Sequence, residues 1–143
     1  MDILSTFQIS SSALRANSQR LDTISSNLAN VETTSTPEGG PYKKKSVYFQ
    51  SAPLSFQQQL DSNLRNATQG VKVTKIIEDK TAPRKVYNPS HPDANAEGYV
   101  EMPNINVMEE MVDMMSATRS YQTNVTVIKS AKRMALKALE IGR

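Results

Sequence analysis

The sequence predicts an α+β fold in which long N- and C-terminal helices pair in coiled-coil fashion and a small β-rich domain lies between them. Three observations carry the prediction. Phe7, Leu14, Leu21 and Leu28 recur every seven residues, with Ile3, Ile24 and Val31 on the alternate row. Met111, Met114, Tyr121, Val125, Ile128, Ala135 and Leu139 form a similar stripe near the other end. The stretch between them is polar, broken by Pro and Gly, and has β-branched segments but no helix-spaced stripe. A sustained sevenfold period keeps one helix face directed at another helix, so each stripe needs a partner. The two ends are expected to pair with each other, with copies of the same chain, or both. The residues expected at subunit interfaces are Phe7, Leu14, Leu21, Ile24, Asn27, Leu28 and Asn30 on the first helix. On the last they are Met111, Met115, Tyr121, Val125, Ile128 and Leu139.

Residues 1–35 are assigned to the first helix. Asp2 or Ser5 can cap its start, with Gln8 three residues after Ser5 as in a capping box. It should decay between Val31 and Ser35, ahead of Pro37. Residues 36–103 form the β-rich domain. Glu38-Gly39-Gly40-Pro41 is a turn, because two glycines and a proline continue no regular element. Val47 to Gln50 is a short strand. Residues 51–69 are rich in Gln, Ser and Asn and form a flexible excursion, with Phe56, Leu60 and Leu64 as its one helical spacing. Val71 to Ile77 is the best strand, and Lys85 to Tyr87 and Tyr99 to Glu101 are weaker ones around a polar, proline-bearing stretch and a turn near Gly98. Residues 104–143 are the last helix, with Asn106 as N-cap, Glu109 at the N3 position and Gly142 as the stop.

Composition suits a chain that completes its burial by assembly. Of 143 residues, 38% are hydrophobic, Trp is absent and Phe numbers three, whereas a domain of this size normally buries about 70% of its unfolded surface. Without cysteine there is no disulfide framework and no thiolate metal site. No run of eighteen apolar residues occurs, and the N-terminus carries an acid instead of a basic, then apolar, leader; neither a membrane span nor a cleaved signal peptide is expected. The net charge of +3 permits an anionic partner, but Lys43-Lys44-Lys45 is the one basic run and fits a solvated turn. Glu109, Glu110 and Asp113 at the start of the last helix, with Lys129, Lys132, Arg133 and Lys137 near its end, match the helix dipole.

Catalytic constellations are missing. His91 is the sole histidine, beside Pro92 in a loop, which excludes paired-histidine metal motifs. The five glycines form no phosphate cradle. Glu109 and Asp113 share a helix face, yet a solvated first turn explains them and Glu110 better than an acid/base pair. Met108, Met111, Met114 and Met115 are packing groups whose flexible thioethers suit contacts that differ between neighbours. Asn66-Ala67-Thr68 and Asn124-Val125-Thr126 match glycosylation sequons, which act only in a eukaryotic secretory context. No enzyme, no cofactor and no metal is expected.

Asn27-Leu28-Ala29-Asn30, preceded by Ser25-Ser26 and followed by Thr33-Thr34, resembles the N-terminal signature of bacterial flagellar axial proteins, the rod, hook and junction subunits. Residues 37–45 (PEGGPYKKK) and 86–104 (VYNPSHPDANAEGYVEMPN), with Glu110-Met111-Val112 and Ser120-Tyr121-Gln122-Thr123-Asn124, resemble its proximal rod subunits. Residues 51–69 depart from the family pattern by being longer and more polar. The resemblance implies export through the flagellar type III export apparatus without a cleaved signal peptide, and assembly in the periplasmic space as part of the basal-body rod. It implies paired helices as an inner tube around the export channel and a β-rich domain facing outward. The implied partners are copies of the same chain, other flagellar rod proteins and basal-body components next to the MS-ring and export gate, with no nucleic acid and no small-molecule substrate. Another axial subunit, a type III export chaperone or adaptor, and a peptidoglycan hydrolase are the alternatives. The adaptor does not need the Tyr/Pro/Gly-rich middle, and the hydrolase needs a carboxyl group raised by an apolar cleft.

Overall fold

A computed structural model of the chain describes residues 3–52 and 69–141. Helix α1 spans Ile3–Ala29 and helix α2 spans Val107–Ile141. Between them lie β1 (Lys45–Ser51), β2 (Val71–Glu78), β3 (Arg84–Tyr87) and β4 (Tyr99–Met102). The expected order is therefore present, and the α+β class holds. Phe56, Leu60, Leu64 and most of the expected excursion lie outside the described residues, as does Gly142.

The four strands make two separate antiparallel hairpins. In the first, β1 pairs with β2 from Lys45 opposite Glu78 to Ser51 opposite Val71, and a bulge between Tyr48 and Phe49 leaves Thr74 as the extra residue of β2. This hairpin rests on α1. The contact is close at one point: the Ser12 hydroxyl accepts the Val71 N–H at 3.0 Å, and a Cβ on Gly70 would lie 2.7 Å from that oxygen. In the second hairpin β3 and β4 pair from Arg84 opposite Met102 to Tyr87 opposite Tyr99, whose rings meet edge to face. Gly98 holds its turn at φ +81°, where a side chain would be strained and would also strike Tyr87 and Pro89.

Asn106 caps α2 as its sequence predicts: its carbonyl accepts the Glu110 N–H and its side-chain oxygen accepts the Met108 N–H at 3.1 Å. Helix α1 already includes Ile3, so of the two expected caps Ser5 lies inside the helix, while Asp2 lies outside the described residues. The helix ends early, at Ala29. Asn30 donates its amide to the Ser26 carbonyl at 2.8 Å and accepts the Thr33 hydroxyl, closing the last turn before any β-branched run begins.

The helices pack against each other, and antiparallel, because Asn27 meets Glu110 while the earlier Arg20 meets the later Asp113. Of the large apolar rows, Ile24 alone is buried among the described residues. On α1 the buried positions are Ser10, Ala16, Thr23, Ile24 and Asn27; on α2 they are Glu110, Ala117 and Ala131, seven and fourteen residues apart. Small side chains let two helix backbones approach, since interaxial distance follows the side chains at the contact. Phe7, Leu14, Leu21 and Leu28 consequently sit half-buried on the flank of the seam.

Candidate assembly interface and its polar anchor

The turn after α1 brings the chain back along the helix. Gly39 and Gly40 both have positive φ, 89° and 79°. Thr36 exchanges turn bonds with Gly39 and Gly40, and the Tyr42 N–H reaches the Thr33 carbonyl at 3.1 Å. Residues 42–45 are thereby laid beside the C-terminal end of α1 and the N-terminal end of α2.

Asn27 is the hub of the polar network formed there. Its amide donates to the Lys45 carbonyl at 2.8 Å and to Glu110 Oε2 at 3.0 Å. Its oxygen accepts the Lys45 N–H at 2.9 Å and the Tyr42 hydroxyl at 3.2 Å. An asparagine amide has two donors and two acceptor sites, and all four are used within the chain. Ser26 extends the network to the Tyr42 hydroxyl. Lys44 Nζ closes it at 2.8 Å from Glu110 Oε1. Asn27 and Glu110 are each 1% exposed.

Glu110 therefore corrects the expectation of a solvated first turn, and Lys44 the expectation of a solvated basic run. The reason is position: the carboxylate at the head of α2 projects into the seam, where only a cation and an amide donor offset the loss of water. Glu109 and Asp113 do remain partly in solvent, at 4.0 Å from Lys44 and 3.2 Å from Arg20. Pairs of that kind contribute little. The bond to Glu110 raises the Lys44 ammonium above the ordinary lysine value against the opposing effect of burial, and the charges of Glu110, Glu109 and Asp113 add to the rise.

The residues expected at subunit interfaces fall into three groups. Ile24 and Asn27 are buried inside the chain, and Asn30 is committed to the end of α1. Phe7, Leu14, Leu21, Leu28, Val125 and Ile128 flank the helix seam, half-buried. Met111, Met115, Tyr121 and Leu139 are exposed. With Met108 and Val112, the first two form an uncovered apolar patch on the first turns of α2, and Met108 is 69% exposed. Farther along, Met134 and Leu136 join Leu139 in the open. Tyr48 and Ile76 add exposed apolar groups on the first hairpin. Sequence reasoning missed Tyr42, Lys44 and Glu110 as a unit. The available signal was a lysine run that returns, after a Gly-Gly turn, to a helix carrying Asn27.

His91 lies in the loop between β3 and β4, where its Nδ1 accepts the Asp93 N–H at 3.1 Å. Asp93 in turn accepts the Thr34 hydroxyl at 2.7 Å, tying that loop to the segment after α1. Among the described residues no group of three or more His, Cys, Asp or Glu could hold a metal ion. No helix of the described residues is long and apolar enough to cross a membrane.

Residues 7–35 match the family described as flagella basal body rod protein, and residues 96–141 match the flagellar basal body rod FlgEFG protein C-terminal family. The two matches cover most of α1 and all of α2, the parts joined by the Asn27–Glu110 contact. Over their full lengths, the chain is 47% identical to the flagellar basal-body rod protein FlgC of Bacillus subtilis and 45% identical to that of Salmonella typhimurium. It is 42% identical to the FlgC of Borreliella burgdorferi, over 99% of this chain and 98% of that one.

Proposed function

Because this chain belongs to the FlgC family of flagellar basal-body rod proteins and is a structural subunit of that rod, we propose that α1 and α2 build the inner wall of the rod around an export channel. In this reading the two hairpins face outward and the subunits repeat helically. A single chain then joins its partners through the surfaces it leaves bare. The observation that carries the reading is the patch Met108, Met111, Val112 and Met115, exposed on a helix whose other face is already buried against α1. Met side chains adapt to surfaces of different shape, which suits a subunit that meets both its own copies and other rod proteins. Head-to-tail contacts that do not close on themselves generate a rod instead of a ring. Close-packed helix contacts also yield little under load, so such a wall transmits torque.

The same reading puts the chain in the proximal rod, beyond the membrane-embedded ring, in the periplasmic space, after passage through the flagellar export apparatus without a cleaved signal peptide. No catalytic step is part of it. Phe7, Leu14, Leu21, Leu28, Val125 and Ile128 then serve twice, closing the helix seam on one side and meeting a neighbour on the other.

The test is Met111→Asp and Met115→Asp in a strain lacking its own copy of the protein. Both positions are exposed, so the isolated chain should keep its helix content and change stability by less than about 0.5 kcal/mol. Isolated basal bodies should lack the variant subunit, and the cells should not swim. Normal incorporation and swimming with both variants would remove the patch from the assembly surface and the reading with it.

A further inference from the structure

One row on α2 repeats at seven-residue spacing: buried Glu110, Ala117 and Ala131, with half-buried Asn124 and exposed Ala138. The buried residues of α1 are Ser10, Ala16, Thr23, Ile24 and Asn27. Apart from Ile24 and the Asn27–Glu110 contact these buried residues are small, and small residues against small residues say little about register. Sliding α2 by one heptad, about 10 Å, would bring Ala117, Asn124, Ala131 and Ala138 into the places held by Glu110, Ala117, Asn124 and Ala131. Apart from Asn124, which would enter the buried place of Ala117, the row would still be lined by alanines. One position would not survive the slide: Glu110 would leave Asn27 and Lys44, and Ala117 would take its place with no group to receive the Asn27 amide.

We infer that the Asn27–Glu110–Lys44 node is a register pin, which selects one antiparallel alignment of α2 on α1 from heptad-related alternatives and ties the first hairpin to that alignment. Three features support it. Asn27 bonds both the N–H and the carbonyl of Lys45, the first residue of β1, so the same side chain sets the position of α2 and of the hairpin. Glu110 is bonded by both partners and is shut off from water, so its carboxylate has no alternative acceptor role outside the node. The pair Arg20–Asp113, one turn away, is half-exposed and gives little energetic preference. A buried polar residue that fixes the register of a helix pair at some cost in stability is a known device of coiled coils. The inference stands on the single chain and does not depend on the rod assignment.

The chain has no cysteine, so engineered thiols report the alignment directly. Cysteines replacing Arg20 and Asp113 mark the observed register; cysteines replacing Arg20 and Ser120 mark the register shifted by one heptad. The purified full-length chain is treated with a short bifunctional thiol reagent and the products are mapped by mass spectrometry. With Glu110 in place, the 20–113 link should exceed the 20–120 link by roughly tenfold or more, the ratio that one charge-assisted hydrogen bond sustains. Glu110→Gln keeps one acceptor for Asn27 and should still favour the 20–113 link, by the smaller ratio of a neutral bond. Glu110→Ala and Glu110→Leu should both bring the two links to comparable yields, with helix content by circular dichroism retained in at least the Leu variant. A single 20–113 register in a folded Ala or Leu variant would overturn the inference, leaving buried Val100 and Ile105 as sufficient anchors. Loss of helix in both would assign the node to stability instead and overturn it equally.

Discussion

The two ends of the helix pair differ in how much they leave unfinished. At the end where α1 terminates and α2 begins, Asn27 satisfies all four of its bonding sites, Glu110 holds a lysine and an amide, and Asn106 caps the helix. At the other end, Leu4, Met134, Leu136 and Leu139 are more than half exposed. With 35 residues against 27, α2 is longer than α1 by about 12 Å. At the first end the inner face of α2 is closed by the chain itself and only its outer face, Met108 to Met115, stays bare; at the other end apolar groups on both helices are left for neighbours. The difference teaches that burial inside the subunit is concentrated where alignment must be set, while apolar surface is kept where assembly must occur.

The largest effect should come from opening the closed end. Asn27→Leu removes the partners of the Lys45 N–H and carbonyl and one partner of Glu110, with no water at hand to replace them. Breaking such a buried network costs about 3 to 5 kcal/mol, which for a chain of this length lowers the midpoint of thermal unfolding by roughly 10 °C. A melt followed by circular dichroism measures it. A shift of only a degree or two would mean that the closed end is not where stability resides.

A matched pair of substitutions then sharpens the contrast along one row. Ala117 is 0% exposed and faces α1, so Ala117→Leu forces extra volume into a close helix contact and should cost about 1 to 3 kcal/mol. Ala138 is on the same heptad row but exposed, and Ala138→Leu should change stability by less than about 0.5 kcal/mol. Urea titration of both variants checks the difference. Equal costs would show that the far end of α2 is packed as tightly as the near end.

Alkaline pH acts on the closed end through Lys44, and more weakly. The Lys44 pKa is raised in the folded chain, first by its bond to Glu110. Its stabilisation is therefore complete below the ordinary lysine value of about 10.4 and is lost as pH rises through the higher folded value. Relative to Lys44→Met, the parent chain should lose stability on going from pH 9 to beyond pH 11, with the two urea midpoints converging. Parallel curves would indicate that the Lys44–Glu110 contact is not maintained in solution.

Much of this contrast was legible in the sequence, and its failures have a physical cause. The sevenfold rows of Leu and Met located both helices, and Asn106, Gly39, Gly40 and Gly98 placed the cap and the turns, because each of those signals is local. Hydrophobic rows could not say which side of the helix is buried, since Ala117 and Ala131 are weakly apolar yet take the innermost positions. The node was hidden for a related reason. Glu110 taken with Glu109 and Asp113 alone is a dipole-matched first turn, and Lys44 within Lys43-Lys44-Lys45 is a solvated run. Only the packing of α2 against α1 and the segment returning from Gly39-Gly40, a long-range event, brings the two charges together beside Asn27.

The smallest effect tests the region that belongs to neither end. His91 accepts one N–H, from Asp93, in a surface loop whose main-chain bonds, His91 to Asn88 and Ala94 to His91, do not involve the imidazole. Removing it exposes an amide that water can reach, so His91→Ala should cost less than about 1 kcal/mol. In a strain lacking its own copy, the variant should enter basal bodies and support swimming. A group doing acid or base chemistry would behave otherwise, with a rate loss of about 10²- to 10⁴-fold while the subunit still assembled. Motility abolished by His91→Ala in rods that contain the variant would show that this loop has a role that the helix pair does not explain. Retained motility would leave the functional weight on α1 and α2.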